Sequence, residues 1–539
     1  MIKKILYIFI LLFTSITYSQ LSKTHYIPPL THAGVGNANA VDQWIYISTP
    51  STSPVNVSIQ PIGGTTQTIT VQNNQPQKVQ VSTNGYSQLY VEANTTSQVM
   101  NNKGYIIDAD KPIYVSIRVN AGGDEGNDDS SAQAGALVTK GLDGLGRTFR
   151  VGTFNSQAPD KDSCFPGPST NFNNYLNFVS VMATEDNTTV NFTNNYNSGF
   201  IIENYSGQFP INNIQLNRGE TYVIAVELKD LSTPNNNCDA IERNKDGLIG
   251  TLIQSDKDIV VNSGSSNGSF HVGGARDYGI DQIVDLSRVG KEYILVKGGG
   301  GDGWENILVV GHEDGTVINI YGSSNSTETI NAGEYHLIEG DLFSSDNNMY
   351  ISSNKDVFVY QGTGGISEAN QEMFFVPPIS CGSRGDVNNI PFIEEIGTKI
   401  FNGAVSIVSR KDDTVEVNGA GLTSQPSGIT VEGPFDVPNK TEYVTYRAEG
   451  LTGNVSVTSS GELYVAYFTE NFSATSGAFY SGFASNPRLD LDLTASKLGS
   501  CISESGTSNI VLNVSNDGNF DSVEWQKQNS DDSWSAVSG

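Results

Sequence analysis

The sequence predicts an all-β protein of four internal antiparallel repeats of roughly 100 residues, arranged as tandem β-sandwiches or as a propeller-like array. Three observations support this prediction. Apolar and β-branched residues alternate with polar ones, Gly, Asn, Asp and Pro separate the short apolar runs, and one pattern recurs along the chain. Because the two-residue period dominates throughout, no long amphipathic helix is predicted.

The recurring pattern is a pair of apolar runs joined by a charged turn, which predicts a β-hairpin. Its clearest copy is FVSVMATEDNTTVNFT, from Phe178 to Thr193, and other copies begin at Asn306, Ala404 and, more loosely, Trp44. A second predicted hairpin follows, with a Gly-Glu turn before an aromatic strand in its best copies, IQLNRGETYVIAV and ETINAGEYHLI. A third has its turn at equivalent residues, namely Lys111, Lys257, Lys355 and Gly461. These turns recur at intervals of roughly 100 to 150 residues, which predicts repeated units with loop insertions.

Boundary strands are predicted before the units, at HYIPPL, ALVTKGLDGLG, IVDLSRVG and MFFVPPISCG, with a fifth at FYSGFAS. The repeat region is predicted to cover residues 20–487, with units at about 21–130, 131–275, 276–368 and 369–487. Residues 488–539 look like the front half of a truncated immunoglobulin-like β-sandwich, with Cys501 on an early strand and Trp525 on the strand packed against it. Since this segment is too short to complete such a core, further domains are expected to follow.

Residues 1–19 predict a secretory signal peptide. Two lysines precede an apolar run from Ile5 to Ile16, and Thr17 and Ser19 are small residues before a predicted cleavage site at Gln20. No later stretch approaches the ~18 apolar residues of a membrane helix, so no integral membrane segment is predicted beyond the signal peptide. The mature chain is therefore expected to be secreted, extracellular or held at the cell surface.

Acidic residues outnumber basic ones by 58 to 30, which gives a formal net charge of −28. This charge opposes binding to nucleic acid or anionic lipid, so neither is predicted as a partner. Solubility outside the cell explains the charge, and calcium binding is the alternative. The calcium candidates are the loop residues Asp124, Glu125, Asn127, Asp128 and Asp129. Their order departs from an EF-hand loop, and no cofactor is predicted.

Cys164 and Cys238 are the predicted disulfide pair, because they flank one repeat in an oxidising compartment. Metal ligation is the alternative for these two residues, although the chain offers no C-x-x-C pair or nearby histidine cluster. Cys381 and Cys501 lie in different segments, and their pairing is left open.

No catalytic, cofactor-binding or metal-binding residue is predicted. Ser266 lies in a G-x-S-x-G match, and residues 298–303 match G-x-G-x-x-G, but neither leads into the helix that the corresponding chemistry needs. The five histidines lack metal-ligand spacing, which leaves a zinc site only where the fold brings them together. Asp302 and Glu305 are interpreted as solvated turn residues rather than a glycosidase pair.

Ligand recognition is predicted to reside in the long loops between units. The loop KGGGGDGWEN carries Trp304, which is expected to be exposed. The loop CGSRGDVNN carries Arg384 and Asp386, within the tripeptide Arg-Gly-Asp that some integrins read. These three residues are the candidate ligand-binding residues.

The stretch from about Gly135 to Asn471 resembles the IgGFc-binding protein N-terminal domain family. The resemblance rests on FVSVMATEDNTTVNF, LNRGETYVIAV, GTLIQSDKDIVVNSG and DQIVDLSRVGKEYILV. The signal peptide and the immunoglobulin-like segment look like those of large secreted multidomain surface proteins of Bacteroidetes-type bacteria. The family implies an extracellular binding module but supplies no residue-level ligand motif for this chain.

The resulting prediction is a secreted or cell-surface binding or adhesion protein without enzymatic mechanism, whose partner is an extracellular protein or glycan. The first alternative is a carbohydrate-active enzyme or carbohydrate-binding accessory protein in which Trp304 and nearby acids line a groove. The second alternative is a structural spacer for a C-terminal domain. Converging carboxylates in one cleft favour an enzyme, exposed aromatic residues on one loop face favour a binding protein, and neither feature is expected of a spacer.

Overall fold

The computed structural model describes residues 20–31, 40–82, 84–121, 131–155, 176–194, 196, 199–207, 209–227, 244–270, 276–365, 370–379 and 386–483, with four further strands beyond them. Strands joined by turns dominate this part of the chain, so the all-β prediction is confirmed. Six short 3₁₀ helices are described, at Ala93–Thr95, Gly141–Gly144, Leu286–Arg288, Asp302–Trp304, Gly340–Leu342 and Leu422–Ser424. None of the helices in these ranges has the length and apolar character needed to span a bilayer.

The strands fall into four consecutive units and a short tail. Unit 1 contains β1 (Ser22–Ile27), β2 (Leu30–Thr31), β3 (Asp42–Ser48), β4 (Val55–Pro61), β5 (Gln67–Val71), β6 (Gln77–Ser82), β7 (Tyr90–Val91), β8 (Val99–Met100), β9 (Tyr105–Ala121) and β10 (Gln133–Val138). Unit 2 contains β11 (Gly146–Arg150), β12 (Leu176–Ala183), β13 (Thr188–Thr193), β14 (Ile211–Leu216), β15 (Thr221–Glu227), β16 (Leu252–Gly268) and β17 (Asp277–Ile283). Unit 3 contains β18 (Gly290–Val296), β19 (Asn306–Gly311), β20 (Thr316–Tyr321), β21 (Asn325–Ile330), β22 (Tyr335–Ile338), β23 (Asn348–Thr363) and β24 (Glu372–Phe375).

Unit 4 has more and shorter strands than the second and third. They are β25 (Val387–Ile390), β26 (Glu395–Ile396), β27 (Lys399–Ile400), β28 (Asn402–Arg410), β29 (Val415–Val417), β30 (Ala420–Gly421), β31 (Thr430–Asp436), β32 (Tyr443–Leu451), β33 (Val455–Ser459), β34 (Leu463–Asn471) and β35 (Ala474–Phe479). In the tail, β36 (Arg488–Asp492) pairs with β37 (Val511–Ser515), and β38 (Gln526–Gln528) pairs with β39 (Trp534–Ala536).

One long strand organises each of the first three units. β9, β16 and β23 contain 17, 17 and 16 residues, and each has different partners along its two halves. In unit 2, residues 252–255 of β16 pair with β13, whereas residues 259–265 pair with β12. Each long strand therefore joins two groups of strands, which in unit 1 are separate sheets. This path is interrupted in unit 4, where Gly461 separates β33 from β34.

The predicted third hairpin is therefore wrong in all four units. Lys111, Lys257 and Lys355 lie inside continuous strands, and β33 and β34, on either side of Gly461, pair with other strands. The predicted pairing of the other two hairpins is also wrong. β12 and β13 both pair with β16 rather than with each other, while β14 pairs with β13 and β15 with β12. β12 and β13 therefore run in the same direction along β16, so the turn residues between them end one strand without folding the next strand back onto it.

Shared hydrogen bonds explain why the sequence pattern recurs. In unit 2, the Asp186 side chain accepts from the backbone N–H of Arg218 at 3.0 Å, and its carbonyl accepts from Nζ of Lys257 at 2.5 Å. Asp314 makes the equivalent two contacts in unit 3 at the same distances. In the predicted Gly-Glu turn, Glu220 accepts from a backbone N–H three residues earlier at 2.7 Å. These turns therefore form hydrogen bonds with the long strand at the point where it changes partners.

The last strand of each unit lies at the centre of the molecule. β10, β17, β24 and β35 pair with β9, β16, β23 and β34, respectively. β10 also packs against β17, β17 against β24, β24 against β35, and β35 against β10. The four units therefore form a closed ring. The predicted boundary segments at Ala136, Ile283, Met373 and Phe479 each begin within one of these strands or at its last residue, and the strand pairs with the preceding unit.

Buried polar and stacking contacts close the ring between units 4 and 1. Arg118 of β9 is 1% exposed, and its guanidinium donates to the carbonyls of Pro391 at 2.9 Å and Phe392 at 2.6 Å. Its Cζ lies 4.2 Å from the ring centroid of Tyr46, within the range of a cation–π contact. Because Arg118 is buried, separating the two units would break its charge-assisted hydrogen bonds, which therefore favour one relative position of units 4 and 1.

Glycine allows the central strands to approach one another. A Cβ added at Gly135 would lie 2.5 Å from the Tyr278 Cβ, and one at Gly279 would lie 2.2 Å from the Phe154 ring. A single buried apolar cluster continues through units 2, 3 and 4. The interfaces between units are therefore part of the hydrophobic core.

Candidate functional site

A cleft of about 150 Å³ lies between units 3 and 4, and we call it the 3–4 cleft. One wall comes from the glycine-rich loop that follows β18 and from the end of β23, and the other comes from β28, β32, β34 and β35. The lining residues are Gly299, Thr363, Gly364, Gly365, Asn402, Gly403, Ala404, Arg447, Glu449, Gly450, Phe468, Thr469, Glu470 and Thr475. The cleft thus combines exposed backbone with a small set of charged and aromatic side chains.

The wall formed by unit 4, which we call the floor of the cleft, is concave because its middle strand, β28, carries small residues. β28 lies between β32 and β34, with Ala404 opposite both Glu449 and Phe468, and with Asn402 opposite Glu470. Every second residue of a strand faces the same side, so these side chains share the face that meets unit 3. A β-bulge next to Gly403 adds local curvature.

Arg447 joins the two walls of the 3–4 cleft. Its guanidinium donates to the carbonyl of Gly298 in the loop and pairs with Glu449, with 2.5 Å between Nε and Oε1. Its Cζ lies 4.6 Å from the ring centroid of Phe468, which adds a cation–π contact. These contacts hold the glycine-rich loop against the sheet.

Buried Glu305 holds the loop from its other side. The carboxylate accepts from the backbone N–H groups of Gly298 at 2.8 Å, Gly300 at 2.9 Å and Gly364 at 3.0 Å. Burial raises the pKa of Glu305 to about 7, although these three donors oppose the shift. The carboxylate therefore shapes the wall of the cleft. The interpretation of Glu305 as a solvated turn residue is wrong, because its side chain is buried. Its predicted partner Asp302 forms an ion pair with Lys297, with 2.6 Å between the charged atoms.

The expectation of an exposed Trp304 is wrong. The side chain is 9% exposed, because the Asp302–Trp304 3₁₀ helix lies against glycines. A Cβ added at Gly300 would lie 3.0 Å from the Trp304 Cβ, and one at Gly364 would lie 2.6 Å from it. The glycines thus make room for the tryptophan inside the protein.

Two exposed apolar side chains lie beside the edge of the 3–4 cleft. Ile400 is 60% exposed and Phe472 is 58% exposed. Asn471 brings them together, since its Nδ2 donates to the carbonyl of Ile400 at 2.6 Å. Phe472 has φ +52°, a conformation that bulky residues rarely adopt. The floor strands therefore end in an apolar edge two residues from Asn402 and Glu470.

A protein family described as IgGFc binding protein matches residues 134–469, more than half of the chain. The chain belongs to this family. The match includes units 2 and 3, most of unit 4, and every residue that lines the 3–4 cleft except Glu470 and Thr475. A search of curated proteins finds no match.

Two solved structures show a weak likeness to this member of the IgGFc binding family. One is titled "Biofilm associated protein - BSP domain", with 9% identity over 87% of this chain and 97% of that chain, and a TM-score of 0.14. The other is titled "Crystal structure of tetra-tandem repeat in extending region of large adhesion protein", with 9% identity over 85% and 99%, and a TM-score of 0.08. At these TM-scores neither likeness carries an argument about fold or function.

Asp386 does not line the 3–4 cleft. Its carboxylate accepts from the backbone N–H of Ser459 at 2.9 Å, and its carbonyl accepts from the Tyr114 hydroxyl at 3.2 Å, between units 4 and 1. The structure therefore does not place Asp386 and Trp304 in one site. Several predicted residues lie outside the described residues, namely Arg384, Cys164, Cys238, Cys381, Cys501, Trp525 and the acidic loop residues Asp124, Glu125, Asn127, Asp128 and Asp129.

Ser266 and His25 are buried hydrogen-bonding residues. Ser266 lies within β16, and its hydroxyl is 2.6 Å from that of Thr31. Nδ1 of His25 is 2.6 Å from the Thr139 hydroxyl, and burial lowers the pKa of His25 to about 4. Among the residues that the structure describes, no three of the His, Cys, Asp or Glu type are placed to hold a metal.

Arg447, Glu449, Glu470 and Phe472 are site residues that sequence reasoning missed. The available signal is weak, because each belongs to an alternating run of the kind that every strand shows. Only the pairing of β32, β28 and β34 places these residues together opposite the loop of unit 3.

Proposed function

We propose that the protein is a secreted binding protein that recognises an extracellular protein through the 3–4 cleft and its apolar edge. Membership of the IgGFc binding family over residues 134–469 carries this proposal. The family description names the Fc part of immunoglobulin G, so an extracellular protein is the class of partner that it suggests. The predicted signal peptide supports the same location.

The chemistry of the cleft favours a basic side chain of the partner. Glu449, Glu470 and Arg447 line the cleft, and because Arg447 pairs with Glu449 the remaining charge is the negative charge of Glu470, in a chain whose net charge is −28. A volume of about 150 Å³ accommodates one long side chain rather than a folded segment. Carboxylates bind the guanidinium of arginine or the ammonium of lysine through charge-assisted hydrogen bonds. We therefore propose an arginine or lysine of the partner as the group that enters.

Ile400 and Phe472 would bury apolar surface of the same partner. Protein interfaces obtain most of their affinity from a few well-packed aromatic and aliphatic residues, and polar groups around them give specificity. Phe472 has an unfavourable φ at a hairpin tip, and its exposed ring adds no buried contact. The free energy of folding therefore does not explain a phenylalanine at this position.

The test is an array of extracellular proteins and glycans, including immunoglobulin G and mucins, probed with the secreted full chain. For a protein ligand found on the array, Glu470→Gln is expected to weaken binding about tenfold, which corresponds to ~1.4 kcal/mol. Phe472→Asn is expected to weaken it by about tenfold or more while the fold is retained, because asparagine tolerates a positive φ.

Glu328→Gln is the matched control, because Glu328 is exposed on β21 of unit 3 and does not line the cleft. Equal affinities of the wild type, Glu470→Gln and Phe472→Asn for every protein ligand would exclude the cleft as the recognition site. An array on which no protein binds would favour a structural spacer.

Carbohydrate cleavage is a second candidate, because two glutamates in one cleft are the groups that a glycoside hydrolase uses. The aromatic platform expected for sugar binding is absent at Trp304, which is buried. Release of reducing sugar from an array glycan by the wild type, and its loss in Glu470→Gln, would favour the enzyme. Release that is unchanged in this variant would place the activity elsewhere.

A further inference from the structure

Gln20 is buried although it is the residue at which the mature chain is predicted to begin. It is 1% exposed, and its side-chain Nε2 donates to the carbonyl of Phe479 at 2.9 Å. Its backbone N–H donates to the carboxylate of Asp143. A chain terminus ordinarily lies in solvent, so this burial requires an explanation.

The carboxylate that accepts the Gln20 N–H belongs to a buried ion pair. Asp143 is 3% exposed, and its Oδ1 lies 2.8 Å from Nη1 of Arg288. Burial raises the pKa of Asp143 to about 6, while Arg288 and the Gln20 N–H oppose the shift. Asp143 lies between β10 and β11, Arg288 lies between β17 and β18, and Phe479 ends β35. Gln20 therefore contacts two segments that belong to different parts of the ring, and Asp143 links it to a third.

The backbone of Gln20 provides an independent observation. Its φ is +64°, in the left-handed region that residues with a side chain rarely adopt. This restriction arises partly from the carbonyl oxygen of the preceding residue. When Gln20 is the first residue, no preceding carbonyl exists, and the restriction is relieved.

We propose that cleavage before Gln20 creates a buried α-ammonium group that pairs with Asp143 and so completes the closed ring. The step is hydrolysis of the Ser19–Gln20 peptide bond by a leader-removing protease. Water supplies a hydroxyl group to the carbonyl carbon of Ser19, and its proton goes to the nitrogen of Gln20. With an ordinary pKa of about 8, the new amine is mostly protonated at neutral pH. This inference rests on the secretion included in the proposed function, but not on ligand binding at the 3–4 cleft.

As the first residue, Gln20 would present a charged ammonium to Asp143, whereas within a longer chain it presents only a neutral backbone N–H. A charge-assisted hydrogen bond from an ammonium to a carboxylate is stronger than the bond from a neutral amide. The buried side-chain amide is also held by Phe479, which protects Gln20 from cyclising with loss of ammonia. The folded protein is therefore expected to keep both its free amine and its side-chain amide.

The test compares full-length chains that begin at Gln20, at Ser19 or at Leu21, each released from a removable fusion without extra residues. We expect the chain that begins at Gln20 to melt about 1–3 °C above the other two. Its α-amine is expected to react with an amine-specific acylating reagent at least about tenfold more slowly than the α-amine of Asp143→Asn. Asp341→Asn is the matched control, because Asp341 is exposed on another 3₁₀ helix.

Intact mass of the protein exported with its leader reports the cleavage site and whether ammonia has been lost. A first residue of Gln20 with its amide intact supports the proposal. Cleavage at another bond, cyclisation of Gln20, or equal acylation rates in the wild type and Asp143→Asn would each overturn it. Ligand binding on the protein array is measured separately, so failure of this inference and failure of the proposed binding function are distinguishable.

Discussion

At the scale of single residues, Glu305 shows how a buried carboxylate shapes a loop. Three backbone N–H groups of the glycine-rich wall point at its two oxygens, at 2.8 to 3.0 Å. Glycine is required at Gly298 because a Cβ there would lie 2.7 Å from Oε1 of Glu305. The sequence shows the glycines and the glutamate, but a flexible solvated loop and a loop held by a buried acid have the same composition.

The raised pKa of Glu305 predicts a pH-dependent stability. The folded state holds this proton up to about pH 7, whereas the unfolded state releases it near 4.5. Between these values the folded state binds more protons, so the free energy of unfolding falls as pH rises and levels off above about pH 7. The contribution of Glu305 is expected to fall by about 3 kcal/mol across this window.

Thermal unfolding of the wild type and Glu305→Gln from pH 4.5 to 8 checks this prediction. The variant cannot titrate at this position, so the wild type is expected to lose melting temperature relative to it as the pH rises. A constant difference between the two proteins across the whole range would show that Glu305 does not titrate in this window.

At the scale of elements, the long strands determine how each unit is built. Lys111, Lys257 and Lys355 lie where β9, β16 and β23 change partners. Lys257 donates to the turn between β12 and β13, and Lys355 donates to the turn between β19 and β20. The backbone pairs on both sides of each bend, so these strands tolerate little change in spacing. Gly264 of β16 is a sensitive point, because it has β12 on one side and β17 on the other.

Gly264→Ala is expected to separate these ladders. The added Cβ would lie 2.0 Å from the carbonyl oxygen of Gly279, and the backbone at Gly264 has φ +155°. Since a backbone atom cannot move aside as a side chain does, we expect a loss of about 2–4 kcal/mol. Gly301→Ala is the control, because nothing lies within 4 Å of its added Cβ. Similar melting temperatures of the two variants would contradict the prediction.

At the scale of the whole molecule, Asp277 connects three of the four units. Its Oδ1 accepts from the backbone N–H of Ala134 at 2.5 Å in β10, and its Oδ2 accepts from that of Thr475 at 2.7 Å in β35. Asp277 itself belongs to β17, and burial raises its pKa well above the ordinary value. The central strands are thus joined by side chains as well as by packing, and the ring acts as one body.

Asp277→Ala is expected to loosen the centre of the ring. The substitution removes the acceptor of three buried backbone donors, the N–H groups of Ala134, Tyr278 and Thr475, at a cost of about 2–4 kcal/mol. Amide hydrogen exchange is expected to rise in β10 and β35, and less in Asp277→Asn, which keeps one acceptor. Unchanged exchange in both strands of Asp277→Ala would show that packing alone closes the ring.

The sequence by itself determined the strand content and the recurrence of the units, but not where the chain reverses, since β12 and β13 run in the same direction along β16. Alternation with a period of two reports which side of a strand each residue faces, and the turn residues report where a strand ends. Residues such as Asp186 and Lys257 recur because their local hydrogen bonds recur. The family resemblance followed from the same local patterns and is confirmed over residues 134–469.

Only the tertiary structure decided which strands pair, that the units close into a ring, and which side chains meet in the 3–4 cleft. Strand pairing uses backbone N–H and C=O groups that nearly every residue carries, so local sequence does not identify the partner. The burial of Trp304 and the clustering of Arg447, Glu449 and Phe472 depend on contacts between units distant in the chain. Such contacts depend on how whole units pack together. Residues throughout the sequence contribute to that packing, so no local pattern specifies it.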